Sequence, residues 1–160
     1  MRVLFVCTGN TGRSAMAENI MRAQIATYDD PFVREIEISS AGINANEGDT
    51  TEEGAIKVMT EKGISLQDHS VTQVTLALID RFDLVLTMEA KQREALIEKY
   101  NANPDRVYLL TEFVGDHGDI EDCWGQEKKV YSNCYTKIES LTDKVIVKIS
   151  KSQKKEENGV

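Results

Sequence analysis

The stretch VLFVCTGNTGRS, residues 3–14, decides the fold of this chain. Its first four residues, Val3-Leu4-Phe5-Val6, form an apolar run that is too short for a buried helix, so the run predicts a central parallel strand. The run ends in Cys7 and a turn, Thr8-Gly9-Asn10-Thr11-Gly12, and from Arg13 to about Ala26 apolar residues recur at helical spacing. The opening therefore predicts a strand, a glycine-containing turn and a helix.

The same order of elements repeats along the rest of the chain. Apolar runs predict further strands within residues 33–38, 83–88 and 107–110, and periodic segments predict helices at 51–59, 90–100 and 129–149. Strands that alternate with helices favour βαβ units and a parallel sheet. We therefore predict an α/β fold: a single domain, residues 1–150, with a doubly wound, four-stranded parallel sheet and helices on both faces. Residues 151–160 are polar, and we expect them to form a disordered tail.

The composition narrows the possible partners. Of 160 residues, 19 are basic and 27 acidic, which gives a formal net charge of −8. Such a chain is a poor partner for nucleic acid or an anionic membrane surface, and we expect neither. Three cysteines, an odd number, do not make a disulfide framework. We expect no leader peptide, and the sequence has no run of about 18 apolar residues. We expect a cytoplasmic monomer.

The turn after the first strand carries the pattern C-x5-R, from Cys7 to Arg13, followed at once by Ser14. A short loop between a strand end and a helix start can point successive N–H groups inward, and this nest together with the helix dipole predicts a phosphate-binding loop. Gly9 and Gly12 allow a positive φ and close approach of the backbone, and Arg13 can add paired hydrogen bonds to a phosphate. The electrostatic field of these N–H groups and the helix dipole also stabilises a thiolate, so we expect Cys7 to be a nucleophile that lies beneath the phosphorus atom. We expect the Ser14 hydroxyl to donate a hydrogen bond to the sulfur of Cys7.

A thiolate that attacks phosphate needs a proton donor for the leaving group and then a base for water, and one carboxyl can do both. The densest acidic segment is residues 116–125, and composition does not choose among its four acids, Asp116, Asp119, Glu121 and Asp122. A divalent-metal site and a merely solvated acidic loop are the alternative interpretations of this cluster.

Four segments make the chain resemble the low-molecular-weight protein tyrosine phosphatases, and within them most closely the bacterial protein arginine phosphatases. They are VLFVCTGNTGRSAMAE at 3–18, ISSAG at 38–42, DLVLTM at 83–88 and HGDIEDCWG at 117–125. The resemblance implies a hydrolase that acts on phosphorylated proteins through a phosphocysteine intermediate, with no cofactor and no metal.

The resemblance also implies a role for each site residue. Cys7 would be the nucleophile, Arg13 the phosphate clamp, and Asp122 the general acid and later base. Ser40 and His69 would support the loop together with Asn10 and Ser14. The expected substrate-binding residues are Thr8, Gly9, Asn10, Thr11, Gly12, Ser14 and Trp124.

Thr11 bears on the substrate. In the family, threonine at this position accompanies phosphoarginine and an apolar residue accompanies phosphotyrosine, so the resemblance implies a preference for phosphoarginine. A hydroxyl oxygen can accept hydrogen bonds from the N–H groups of a guanidinium, whereas a methylene at this position would leave those N–H groups without a partner. A β-branched residue chosen for backbone shape alone is the other interpretation of Thr11.

Three residues depart from the family pattern. Gly12 replaces a second cysteine common in arginine phosphatases, which puts redox switching by that route in doubt. Cys123 replaces a proline after Asp122, and we expect a more mobile acid loop. Ala15 replaces another proline, which the helix should tolerate.

Two other functions stay open at this point. Arsenate reductases share this loop but need a pair of relay cysteines, typically near residues 81–89, and this chain has none there. A phosphosite-binding protein without turnover would lack the nucleophile, the clamp or the acid, and all three are present.

Overall fold

The computed structural model describes residues 1–159. Its centre is a four-stranded sheet in the order β2-β1-β3-β4, with every neighbouring pair parallel. The strands are β1 (Arg2–Cys7), β2 (Glu37–Gly42), β3 (Leu84–Thr87) and β4 (Val107–Leu109). The predicted α/β fold class is therefore confirmed, with the strand that carries Cys7 in the interior of the sheet.

Helices cover both faces of this sheet because every second side chain of β1 points to the opposite side. Val3, Phe5 and Cys7 pack into one buried cluster, and Leu4 and Val6 pack into another. The helices are α1 (Arg13–Ile25), α2 (Pro31–Arg34), α3 (Glu53–Glu61), α4 (Leu76–Ile79), α5 (Ala90–Tyr100), α6 (Leu110–Phe113) and α7 (Lys128–Glu157). The first cluster includes residues of α1, α3 and α7, and the second includes residues of α4 and α5.

The interpretation of Val33 as a strand residue is wrong. Val33 lies in the short helix α2, which begins at Pro31 and is capped by the side chain of Asp30, whose carboxylate accepts from the N–H of Phe32. Proline at the first helical position and aspartate before it are helix-start signals. Helices of four residues, such as α2, α4 and α6, are too short to show a periodic pattern.

The prediction of a disordered tail at residues 151–160 is wrong for residues 151–157. Helix α7 continues through Glu157, so residues 151–157 are helical, whereas Val160 lies outside the described residues. The buried stripe of this helix ends at Ile149, and the residues beyond it are almost all exposed. Lysine, glutamine and glutamate are good helix formers, and they extend a helix that has already nucleated.

The fold places the functional turn at the carboxyl end of β1. This is the edge of a parallel sheet where ligands bind in open α/β folds. Gly42, paired with Cys7 at the end of β2, packs directly under the turn. A Cβ atom on Gly42 would lie 2.5 Å from the carbonyl oxygen of Thr8, so only glycine lets the turn lie this close to the sheet.

Candidate active site

The loop of residues 8–12 is held in shape by one buried asparagine. Asn10 has φ of 57°, in the left-handed region, and its side chain is fully buried. Gly9 and Gly12 could adopt a positive φ, but neither does, and Asn10 takes the left-handed conformation of the loop instead. Asparagine tolerates this conformation better than most residues because its short amide can bond to nearby groups.

The side-chain amide of Asn10 makes three hydrogen bonds, two through Nδ2 and one through Oδ1. Its Nδ2 donates to the hydroxyls of Ser14 at 2.8 Å and Ser40 at 2.9 Å, and its Oδ1 accepts from the N–H of Thr72 at 2.9 Å. The carbonyl oxygen of Asn10 accepts from Nε2 of His69 at 2.7 Å. The structure thus brings together Asn10, Ser14, Ser40 and His69 in one hydrogen-bonded network.

Glu18, on α1, completes this network and was missed by the sequence analysis. Its carboxylate accepts from the Ser40 hydroxyl at 3.3 Å and from Nη2 of Arg22 at 3.1 Å, and it lies 3.6 Å from Nδ1 of His69. Burial lowers the pKa of His69, but the hydrogen bonds to Glu18 and to the Asn10 carbonyl outweigh it, so the pKa is raised. The helical spacing from Ser14 to Glu18 was the available signal.

The sulfur of Cys7 lies at the floor of the loop. Cys7 is 3% exposed, and its Sγ is 2.9 Å from the Ser14 hydroxyl and 3.2 Å from the N–H of Asn10. Because Ser14 already accepts from the Asn10 amide, its own hydrogen is free to point at the sulfur. Two hydrogen-bond donors and the positive end of α1 therefore converge on the sulfur.

The loop also carries uncommitted N–H groups. Within residues 1–159, the backbone N–H groups of Gly9, Thr11 and Gly12 have no protein acceptor. They precede the first turn of α1, which begins at Arg13. Donors in this position make an anion site without any requirement for a basic protein.

Arg13 joins the loop to the opposite wall of the site. Its guanidinium is 4% exposed, and Nη1 donates to Glu89 at 2.9 Å and to the carbonyl oxygen of Ile120 at 2.7 Å. Burial lowers the pKa of Arg13, but the charges of Cys7, Glu89 and Asp122 outweigh it and raise the pKa. Arg13 therefore remains a permanent cation beside the sulfur.

Glu89 and Gln92, at the start of α5, are further site residues that the sequence analysis missed. Gln92 donates to the Thr8 hydroxyl at 3.1 Å and to the Glu89 carboxylate at 3.0 Å, and its Oε1 accepts from the N–H of Glu89 at 2.9 Å. The glutamine three residues after a helix-capping position was a usable signal. These contacts link Thr8 to the carboxylate that orients Arg13.

The structure separates Asp122 from the other three acids that composition left open, of which Glu121 is exposed. Asp122 Oδ2 lies 3.8 Å from Nη2 of Arg13, and its side chain is 57% exposed. Asp119 instead accepts from the N–H of Ala90 at the start of α5, and Asp116 bonds to the N–H of its neighbour His117. Among the described residues, no group of three or more His, Cys, Asp or Glu side chains could hold a metal ion.

Residues 123 and 124 shape the loop that carries Asp122. The N–H of Trp124 donates to the carboxylate of Asp122 at 3.0 Å, and the indole is 70% exposed. Cys123 is buried, and its interaction with Cys134 on α7 together with burial raises the pKa of Cys123. The residue that replaces the family's proline is therefore anchored in the core, while increased mobility of the loop stays a prediction.

Trp124 lines a cleft of about 420 Å³ beside the loop. Glu52, Gly54 and Tyr131 line the same cleft, between the start of α3 and the start of α7.

In the described part of the chain no helix combines the length and the apolar character that a bilayer span requires.

Comparisons with known proteins agree with this geometry. Residues 2–156 match the family model described as low molecular weight phosphotyrosine protein phosphatase. A protein-arginine-phosphatase from Geobacillus stearothermophilus is 34% identical over 153 residues, which cover 95% of this chain and 98% of that protein.

Two solved structures are similar over almost their whole length. The low molecular weight protein tyrosine phosphatase from T. tengcongensis has a TM-score of 0.87 at 37% identity, covering 92% of this chain and 99% of that one. The YwlE arginine phosphatase, as a C7S mutant with a phosphorylated active site serine, has a TM-score of 0.86 at 30% identity, covering 96% and 99%. The chain therefore belongs to the low molecular weight phosphotyrosine protein phosphatase family and is, like these relatives, a protein phosphatase.

Proposed function

We propose that this protein hydrolyses phosphorylated protein side chains through a phosphocysteine intermediate and prefers phosphoarginine to phosphotyrosine. The observation that carries the mechanism is the convergence of three groups at one loop. The Cys7 thiol lies at its floor, the Arg13 guanidinium beside it, and the Asp122 carboxylate 3.8 Å from that guanidinium at the rim.

In the first step, the electron pair of the Cys7 thiolate forms a sulfur–phosphorus bond as the bond to the substrate nitrogen or oxygen breaks. Asp122 gives its proton to that leaving atom. The phosphoryl oxygens accept hydrogen bonds from the free N–H groups of Gly9, Thr11 and Gly12 and from Arg13. The developing negative charge is thus met by donors that are already in position.

In the second step, Asp122 takes a proton from water, whose oxygen bonds to phosphorus as the sulfur–phosphorus bond breaks. The Ser14 hydroxyl, 2.9 Å from the sulfur, donates to the departing thiolate. One water is consumed and one phosphate released, and the protein returns to its starting state. The phosphorylated active site serine in the C7S mutant of YwlE supports phosphoryl transfer to a side chain at this position.

Two observations support phosphoarginine as the preferred substrate. Relatives named protein-arginine-phosphatase are 34% and 31% identical to this chain. The half-buried Thr11 also presents its hydroxyl at the loop, where N–H groups of a substrate can bond to it. Phosphotyrosine is the second candidate, because a low molecular weight protein-tyrosine-phosphatase from Staphylococcus haemolyticus is 32% identical.

The mechanism is tested by turnover of both substrates with a chelator present. We expect activity to persist, Cys7→Ser to abolish it, and the Asp122→Asn variant to accumulate a phosphate adduct on the peptide that contains Cys7, detected by mass spectrometry after acid quench. The matched control, Cys134→Ser, should keep kcat within about threefold of wild type. Full activity of Cys7→Ser, or activity lost only with the chelator, would contradict the mechanism.

The substrate preference is tested by kcat/KM for a phosphoarginine protein and a phosphotyrosine peptide. We expect wild type to favour phosphoarginine and Thr11→Ile to lower that preference. An unchanged ratio in Thr11→Ile would show that Thr11 does not select the substrate. The expected monomeric state and cytoplasmic location stay predictions.

A further inference from the structure

The hydroxyl of Thr11 is already committed to a partner within the protein. Its Oγ1 donates to Oε2 of Glu52 at 2.7 Å, and the N–H of Glu52 donates to the carbonyl oxygen of Thr11 at 2.8 Å. Because a hydroxyl has one hydrogen and two lone pairs, the Thr11 oxygen can now serve further partners only as an acceptor. The substrate-facing property of Thr11 is therefore set by Glu52.

Tyr131 holds the carboxylate of Glu52 from the other side. Its hydroxyl donates to Oε1 at 2.6 Å, and its side chain is buried. Burial and the hydrogen bond to Glu52 raise the pKa of Tyr131, so the phenol keeps its proton. Each oxygen of the carboxylate thus has its own donor, and Glu52 is fixed between Thr11 and Tyr131.

Two glycines leave the space that this arrangement needs. A Cβ atom on Gly12 would lie 2.8 Å from the carboxyl carbon of Glu52, and a Cβ atom on Gly54 would lie 2.7 Å from Cζ of the Tyr131 ring. Both distances are too short for side-chain contact. Gly12 is the position where the resemblance led us to expect a cysteine, and its side-chain space is taken by Glu52.

We infer that Glu52 is a positioning residue that sets substrate specificity, because it turns Thr11 into an acceptor that selects a phosphorylated guanidinium over a phosphorylated phenol. A guanidinium brings N–H donors to the Thr11 oxygen, whereas the phenyl ring brings none and leaves that oxygen desolvated without a partner. This inference rests on the proposed function and adds the residue that enforces its substrate preference.

The surroundings of Glu52 suit such a substrate. Glu52 shares the cleft of about 420 Å³ with the exposed indole of Trp124. A planar cation can stack on an aromatic face and is attracted by nearby carboxylates. Besides Glu52, the charged residues that line this cleft are Glu53, Lys57 and Lys128, and Lys57 pairs with Glu53. The cleft next to Thr11 therefore offers a guanidinium room and an aromatic face, and Glu52 is its acidic side chain next to Thr11.

The test measures the selectivity ratio, defined as kcat/KM for a phosphoarginine protein divided by kcat/KM for a phosphotyrosine peptide. We expect Glu52→Ala to lower this ratio about tenfold, with kcat/KM for phosphotyrosine kept within about threefold of wild type. Glu52→Gln keeps an oxygen that accepts from Thr11, so it should retain most of the ratio. The matched control is Glu98→Ala, which removes an exposed carboxylate on α5 that is not among the residues lining the cleft; its ratio should not change.

A double variant shows whether Glu52 acts through Thr11. We expect Thr11→Val to lower the selectivity ratio and Glu52→Ala to add nothing in that background. Additive effects, a loss in Glu52→Gln equal to that in Glu52→Ala, or an unchanged ratio in Glu52→Ala would each overturn the inference. If Glu52→Ala does not fold, Glu52→Leu takes its place with the same expectations.

Wild type distinguishes this inference from the proposed function. If wild type hydrolyses phosphotyrosine but not phosphoarginine, the proposed preference and the inference both fail. If wild type prefers phosphoarginine and Glu52→Ala preserves that preference, the inference alone fails.

Discussion

Replacement of Asn10 is the sharpest test of how the loop of residues 8–12 is held. Asn10→Ala removes three side-chain hydrogen bonds, two to the hydroxyls of Ser14 and Ser40 and one from the N–H of Thr72. At a net contribution of about 1 kcal/mol each, their loss costs about 3 kcal/mol. Alanine at a φ of 57° adds about 1–2 kcal/mol of backbone strain.

The expected loss in Asn10→Ala is therefore about 4–5 kcal/mol of the free energy of unfolding, a large part of the roughly 5–15 kcal/mol of a typical domain. The assay is urea denaturation at equilibrium, together with kcat in the absence of urea. We expect kcat to fall as well, because the loop that orients Cys7 and the N–H donors loses its central support.

Asn10→Gly separates the two contributions. Glycine removes the same hydrogen bonds but adopts a positive φ without strain, so it should be about 1–2 kcal/mol more stable than Asn10→Ala. Asn101 is the matched control, because its φ is 53° at the exposed end of α5. Asn101→Ala should cost about the strain alone, 1–2 kcal/mol. Equal stability of Asn10→Ala and Asn10→Gly would refute the strain argument, and a total loss below about 1 kcal/mol would refute the role of the hydrogen bonds.

Three further predictions concern other residues around the loop. Gly42→Ala should lower the free energy of unfolding, measured by urea denaturation, by about 1–3 kcal/mol, because its Cβ would lie 2.5 Å from the backbone of the loop. In the control Gly9→Ala the nearest neighbour of the Cβ lies at 3.5 Å, so the free energy of unfolding should change by less than about 1 kcal/mol. Equal losses in the two variants would contradict the packing argument. The pKa of His69 is raised in the folded protein because protonated His69 pairs with Glu18. This pairing stabilises the fold fully at a pH below the pKa of His69 in the unfolded chain, about 6.5. The stabilisation is lost as the pH rises through the higher pKa of His69 in the folded protein. The stability difference between wild type and His69→Gln, measured by urea denaturation from pH 5.5 to 8.5, should therefore shrink with rising pH, and a pH-independent difference would refute the pairing. Arg13→Lys keeps the positive charge but loses the planar guanidinium, which donates to Glu89 and to the Ile120 carbonyl at once. We expect kcat in steady-state assays to fall by about 10² or more. A loss below about threefold would show that the charge alone suffices.

The sequence by itself determined the framework of this protein. An apolar run with β-branched residues, a turn and a helical period are local patterns, so β1, the loop and α1 could be predicted from residues 3–26. The C-x5-R spacing predicted that Cys7 and Arg13 share one loop, because the residues between them close a single turn. Short helices such as α2, and the extension of α7 through Glu157, gave too weak a periodic signal to be predicted.

Only the tertiary structure decided which distant residues complete the site. Glu52 lies 41 positions after its partner Thr11, and Glu89 and Asp122 are still further along the chain. They reach the loop because parallel strands bring their carboxyl ends, and the loops that follow, to one edge of the sheet. The left-handed residue of the loop is Asn10 rather than a glycine for the same reason: its partners Ser40, His69 and Thr72 are adjacent only in the folded chain. Local patterns specify elements, whereas contacts between elements arise from packing, and in this protein those contacts orient Cys7, Arg13 and Asp122.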